Sequence, residues 1–117
     1  MNNEQIFMML FRFKPDFSYQ PTEQDLAAMK AQWGSFIGNL AISEKLVSTH
    51  RLGFEGKSIQ ADATVTDGVL MAEEKMVSGN MVVKANSLEE ATELAKDCPI
   101  LNMGGTVEIR SIAPMES

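Results

Sequence analysis

The stretch IFMMLFRF, Ile6 to Phe13, decides the fold. Read as a strand, it sets Phe7, Met9, Phe11 and Phe13 on one face and Ile6, Met8 and Leu10 on the other. Apolar side chains on both faces describe a central strand covered on both sides. A buried helix is the competing reading, but the run is only eight residues long and its flanks are polar.

Working outward, residues 14–21 read as a loop with Pro15 and Pro21. Thr22 reads as a helix N-cap with Asp25 at the capping-box position. Leu26, Met29, Trp33, Phe36, Ile37 and Leu40 follow at helical spacing and form a buried stripe. Gly34 and Gly38 lie one turn apart on this helix. They mark either a close approach of another element or ordinary tolerated glycines. Residues 46–52 (LVSTHRL) read as a strand, and Gly53 and Gly56 flank a turn. Lys57 to Thr66 reads as one or two short strands, and Asp67-Gly68 is a turn signal. Residues 69–76 are open between a helical turn and a loop. Ser78-Gly79 opens a strand from Asn80 to Ala85. Ser87 caps a second helix, with Glu90 at the capping-box position and Leu88, Ala91, Leu94 and Ala95 as the inner face, until Pro99 stops it. Gly104-Gly105 turns the chain into a last strand, Thr106 to Ile112, and a frayed tail is expected from Ala113.

The expected fold class is therefore α+β, a single ferredoxin-like βαββαβ domain over 1–117 with an antiparallel sheet and both helices on one face. Two helices cover one face only, yet the first strand is apolar on both. The economical solution is a homodimer with sheet-to-sheet packing, a dimeric α+β barrel, because a lone chain would expose a large patch of Phe and Met.

Composition narrows the functions. The chain has 117 residues, 10 basic and 16 acidic, for a net charge of −6. No basic cluster suits a phosphate backbone, so no nucleic-acid partner is expected. No apolar run approaches the ~20 residues of a membrane span. The start has an acidic residue before its apolar run and no small-residue cleavage site, so no signal peptide is expected. One cysteine suits a reducing cytoplasm. With one Cys and one His, a Cys/His zinc site within one chain is excluded. Nine methionines supply soft, adaptable apolar surface. Phosphate-cradling glycine motifs and a nucleophile elbow are both missing, so no cofactor is expected.

From Thr66 to Ile112 the sequence resembles the YCII-related family in its DGPF-type branch. The resemblance rests on Asp67-Gly68, Gly79, Lys84-Ala85, Ser87-Leu88-Glu89-Glu90-Ala91, Ala95, Cys98-Pro99 and Val107-Glu108-Ile109-Arg110. Trp33 and the turn from Leu52 to Gly56 extend it more loosely into the first half. It implies the dimeric α+β barrel, whose relatives include small monooxygenases, isomerases and dehydrochlorinases, and some members carry a His–Asp pair proposed as catalytic. The chain departs from the pattern at Val69-Leu70 (for Pro-Phe), at Ala72 (for an acidic residue), at the reversed Glu74-Lys75 and at Asn80 (where an aromatic residue is common).

His50, the one histidine, is the candidate base, and its alternation groups it with Leu46, Ser48 and Leu52. Asp67 and Glu108 are the carboxylates to pair with it; the plainer reading is a partly exposed strand histidine, or one hydrogen-bonded in the dimer interface. Asp67 is otherwise a turn residue. Arg110 is the candidate anion holder through its planar fork, with Arg51 and Arg12 of similar standing. Glu108 and Arg110 otherwise make a cross-strand or intersubunit ion pair. Glu74 is a solvated charge beside Glu73 and Lys75, or else a cavity carboxylate or metal ligand, although two adjacent Glu without histidines at ligand spacing are a weak metal signal. Trp33 is either core or a cavity wall. Cys98, at a helix C-terminus, reads as packing rather than as a reactive thiolate. The function expected is binding of a small polar or anionic organic molecule, with cofactor-free acid–base chemistry such as isomerisation or elimination. A non-catalytic dimeric ligand-binding or regulatory module is the alternative.

Overall fold

A computed structural model of the chain describes residues 4–15 and 20–113. Most of the expected frayed tail, and the middle of the loop after the first strand, lie outside the described residues.

The chain runs β1 (Gln5–Phe13), α1 (Glu23–Ile42), β2 (Leu46–Arg51), β3 (Lys57–Ile59), β4 (Val65–Asp67), β5 (Met76–Ala85), α2 (Leu88–Ala95), a 3₁₀ turn (Pro99–Met103) and β6 (Thr106–Ser111). The main sheet has the order β2-β5-β1-β6, and every neighbouring pair is antiparallel. This is the ferredoxin-like order, with β3 and β4 added as a separate two-stranded ribbon between β2 and β5. The α+β reading is correct, and β1 is central as its two apolar faces require.

Phe7, Met9 and Phe11 point to the helices and are buried with Met81, Val83, Phe36, Leu40, Ala91, Ala95 and Ile100. Met9 and Met81 are both 0 % exposed, so two of the soft side chains fill the centre of the core. Trp33 joins them through edge-on contacts, with ring centroids 5.5 Å from Phe11 and 6.1 Å from Phe36.

Both helices start where their caps dictate. The Thr22 hydroxyl accepts from the Asp25 N–H and the Asp25 carboxylate accepts from the Thr22 N–H, each at 3.1 Å. The Ser87 hydroxyl accepts from the Glu90 N–H at 3.1 Å. The Glu90 carboxylate is taken by Lys45 and Asn86 instead of serving a reciprocal box. Two inner-face expectations are corrected. Leu26 is 53 % exposed and Leu88 is also exposed, because each sits in the first turn, beyond the edge of the sheet-packed stripe.

Two bulges reshape the sheet. Val47 is an extra residue between the Leu46–Val83 and Ser48–Val82 pairs. Ser78 is an extra residue between Phe11–Gly79 and Arg12–Val77. The second bulge lets β5 begin at Met76, earlier than the Ser78-Gly79 signal suggests. Before it, residues 72–75 form a tight two-residue β-turn. Ala72 and Lys75 exchange backbone hydrogen bonds at 2.8 and 2.9 Å, and Glu73 and Glu74 sit at φ 53° and 65°.

Candidate functional site

Cross-strand pairing maps the face of the sheet turned away from the helices. Directly opposite residues share a face, so His50, Asn80, Leu10 and Glu108 form one row across all four strands. Val82, Met8 and Arg110 continue from Ser48 as the next row. The centre of this open face is apolar (Met8, Leu10 and Val82, all half-buried), with Ile6 more exposed at one end. Its two sides are polar.

On the β6 side, the Arg12 guanidinium donates to Glu108 Oε1 at 2.6 Å, and Arg110 donates to Glu108 Oε2 at 3.2 Å. The Arg12 hydrogen bond, seconded by Arg110, holds the Glu108 carboxyl below the usual glutamate range. One carboxylate thus organises two guanidinium groups, with Arg110 the more exposed.

On the β2 side, His50 Nδ1 lies 3.3 Å from Asn80 Oδ1. In the tautomer with hydrogen on Nδ1, the ring donates to that amide oxygen and Nε2 is the basic nitrogen. The bulge at Val47 corrects the expected grouping: Leu46 turns into the core, whereas Ser48 and His50 lie on the open face. His50 stands exposed on an edge strand.

The expected carboxylate partners do not reach it within the chain. Three strand spacings, roughly 14 Å, separate the backbones of His50 and Glu108. Asp67 ends β4 in the separate ribbon and is paired with Lys57 Nζ at 2.5 Å. There it lines a groove of about 420 Å³ with Ser58, Gln60, Thr66 and Leu70. Gly68, at φ 99°, makes the turn that follows. Glu74 lies in the β-turn and pairs with Lys14 at 3.1 Å. Arg51, opposite Gly79, falls on the helix side of β2. Trp33 belongs to the helix–sheet core, on the other side of the sheet from His50. Cys98 is buried, and burial pushes its thiol up to about 11, which suits packing and not nucleophilic chemistry.

Two features of the molecule depend on how distant elements meet. Asn80, a departure from the family's pattern, is the side chain that meets His50; only the β2–β5 register reveals this. A second groove of about 430 Å³ opens between α1 and the 3₁₀ turn, lined by Gln32, Asn39, Asp97 and Asn102 beside Phe36. Gln32 and Asn39 are exposed residues of α1, and Asp97 and Asn102 lie before and within the 3₁₀ turn, where helical periodicity gives no signal. Among the described residues no three His, Cys, Asp or Glu side chains gather as a metal site, and no helix is long and apolar enough to cross a membrane.

The model of the YCII-related domain matches residues 6–116. The chain belongs to the YCII-related family. No curated protein matches this YCII-related chain. Family membership agrees with the resemblance carried by residues 66–112 and extends it over β1 and α1.

Proposed function

We propose that this YCII-related chain works as a homodimer that binds a small anionic organic molecule on the open face of its sheet. The observation that carries the reading is that face itself. Among the described residues no helix covers its apolar centre, and one side presents Arg12 and Arg110. Sheet-to-sheet packing removes Met8, Leu10 and Val82 from water and leaves the guanidinium groups at the rim to hold a carboxylate by their planar forks. A single, buried cysteine suits a cytoplasmic setting.

His50 is the group for acid–base chemistry such as isomerisation or elimination, with Asn80 orienting its ring. A specific observation favours the second reading, a non-catalytic carrier or sensor: the partner of His50 is an amide, and among the described residues neither Asp67 nor Glu108 reaches it.

Titration with small mono- and dicarboxylates, followed by amide NMR, tests the binding. Shifts are expected at Arg12, Arg110, His50 and Asn80, and they weaken in Arg110→Ala. Shifts clustered instead at Asn39 and Asn102, or no shifts, sink the assignment. Solvent deuterium appearing at the α-carbon of the bound acid, and lost in His50→Ala, supports chemistry; binding without exchange supports the carrier.

A further inference from the structure

We infer that residues 52–75 form an arm that reaches over a second copy of this chain and lays its acidic, apolar ribbon on that copy's open sheet face. The inference rests on the homodimer proposed above and goes further by saying what holds it together.

The arm meets the rest of its own chain at its two roots, through Leu52, Phe54 and the Lys14–Glu74 ion pair, and its ribbon between them stays exposed. Of residues 52–75 all but Ser58 and Lys75 are exposed. Ile59 and Val65 stand directly opposite each other in the ribbon, and Ile59 is 72 % exposed. Leu70 is 79 % exposed, and Met71 beside it is exposed as well. A lone two-stranded ribbon is marginal in water and needs a surface to lie on. The root of the arm is fixed. The Leu52 N–H donates to the Ser78 carbonyl at 2.9 Å, and Phe54 meets Phe13 edge-on at 6.3 Å. Its return to the sheet is made by the turn at Glu73-Glu74, both in left-handed backbone, directly before β5.

Exposed apolar side chains are concentrated in the arm: Leu52, Phe54, Ile59, Val65, Val69, Leu70 and Met71 are all exposed to water.

Charge says which surface the arm fits. The arm carries five carboxylates against two lysines. Among the described strand residues the open face carries Arg12, Lys84 and Arg110 against one carboxylate, Glu108, which Arg12 and Arg110 share, in a chain whose net charge is −6. The basic face that complements the acidic arm is therefore on the same sequence. A two-fold pair satisfies both arms and both faces at once. Asp67 rides on the arm, so a carboxylate of one chain comes to the histidine-bearing face of the other.

Sedimentation velocity of the full chain tests this with three proteins: the wild type, the double variant Ile59→Asp/Leu70→Asp, and Met8→Asp. Both arm positions are exposed, so far-UV circular dichroism should stay native in the double variant. The expected result is a wild-type dimer at micromolar concentration and an arm variant whose dissociation constant rises at least about tenfold. An arm variant that dimerises within about twofold of wild type overturns the inference. If Met8→Asp alone dissociates, the sheet-face dimer stands without the arm. A monomeric wild type overturns both readings, whether the arm then waits for another protein or for none. Zero-length carbodiimide coupling in a mixture of ¹⁴N- and ¹⁵N-labelled chains gives a second readout. Links from arm carboxylates to Lys84 with mixed isotopes support the inference; links to Lys84 only within one chain contradict it.

Discussion

Phe7, Met9 and Phe11 are shut between the sheet and the helices, whereas Ile6, Met8 and Leu10, each one position away, have no helix above them among the described residues. Both sets are apolar. On the covered face the sequence is satisfied by contacts present in one chain. On the open face the same chemistry is left half in water, with arginines at the rim. The difference teaches that hydropathy alone does not say what covers a face; it says only that something must.

The comparison is broken most sharply by Phe7→Ala. Emptying a fully buried aromatic site costs about 3–5 kcal/mol. Urea denaturation should show that loss at every protein concentration. Met8→Ala, next door, should show its effect mainly in how the unfolding midpoint depends on concentration. A concentration-independent loss of equal size at Met8 would mean that the open face is packed within the chain.

A smaller effect sharpens the view of the helix layer. A Cβ added at Gly34 or Gly38 meets no atom within 4 Å. Glycine to alanine in a helix interior is worth about 1 kcal/mol, so Gly34→Ala and Gly38→Ala should each stabilise by about that much. Weakened dimerisation in either would show that the outer side of α1 is an interface, and that the open sheet face is not the whole one.

The smallest effect belongs to the rim. The Glu108 carboxyl is held low by Arg12 first and Arg110 second, so its folded value lies below its unfolded one. The stability it contributes is present above the ordinary glutamate range and is lost as pH falls below it. Between about pH 6 and about pH 3 the wild type should lose stability more steeply than Glu108→Gln, and the two should converge at the acid end. Parallel curves would show that the ion pairs carry no net stability.

Much of this was legible in the residues. The two-faced run at 6–13, the caps at Thr22 and Ser87, and the alternation of strand and helix lead to the sheet order that the chain adopts. The unread parts share a cause. Val47 and Ser78 are ordinary strand residues, and a bulge at either follows from how two distant strands meet, not from its own neighbours. The bulge at Val47 parted Leu46 from His50. The turn at Glu73-Glu74 uses a backbone that Asn-Gly would announce, so a Glu-Glu pair gives no warning. His50, Asp67 and Glu108 are the chemically suggestive residues, yet periodicity places each on its own element and says nothing of the distance between elements.

The central position of β1 has a cost in time. Its β5 partners lie 63 positions downstream (Phe13 with Met76) to 80 (Gln5 with Ala85), and β6 comes later still. Translation at about 5–20 residues per second leaves this strand waiting roughly 3–13 s for its first neighbour. During that interval an unpaired run of Phe, Met, Ile and Leu is the stickiest part of the nascent chain, with α1 as its only nearby apolar cover. The strand that organises the finished sheet is thus also the one most exposed to aggregation or chaperone capture while the protein is being made.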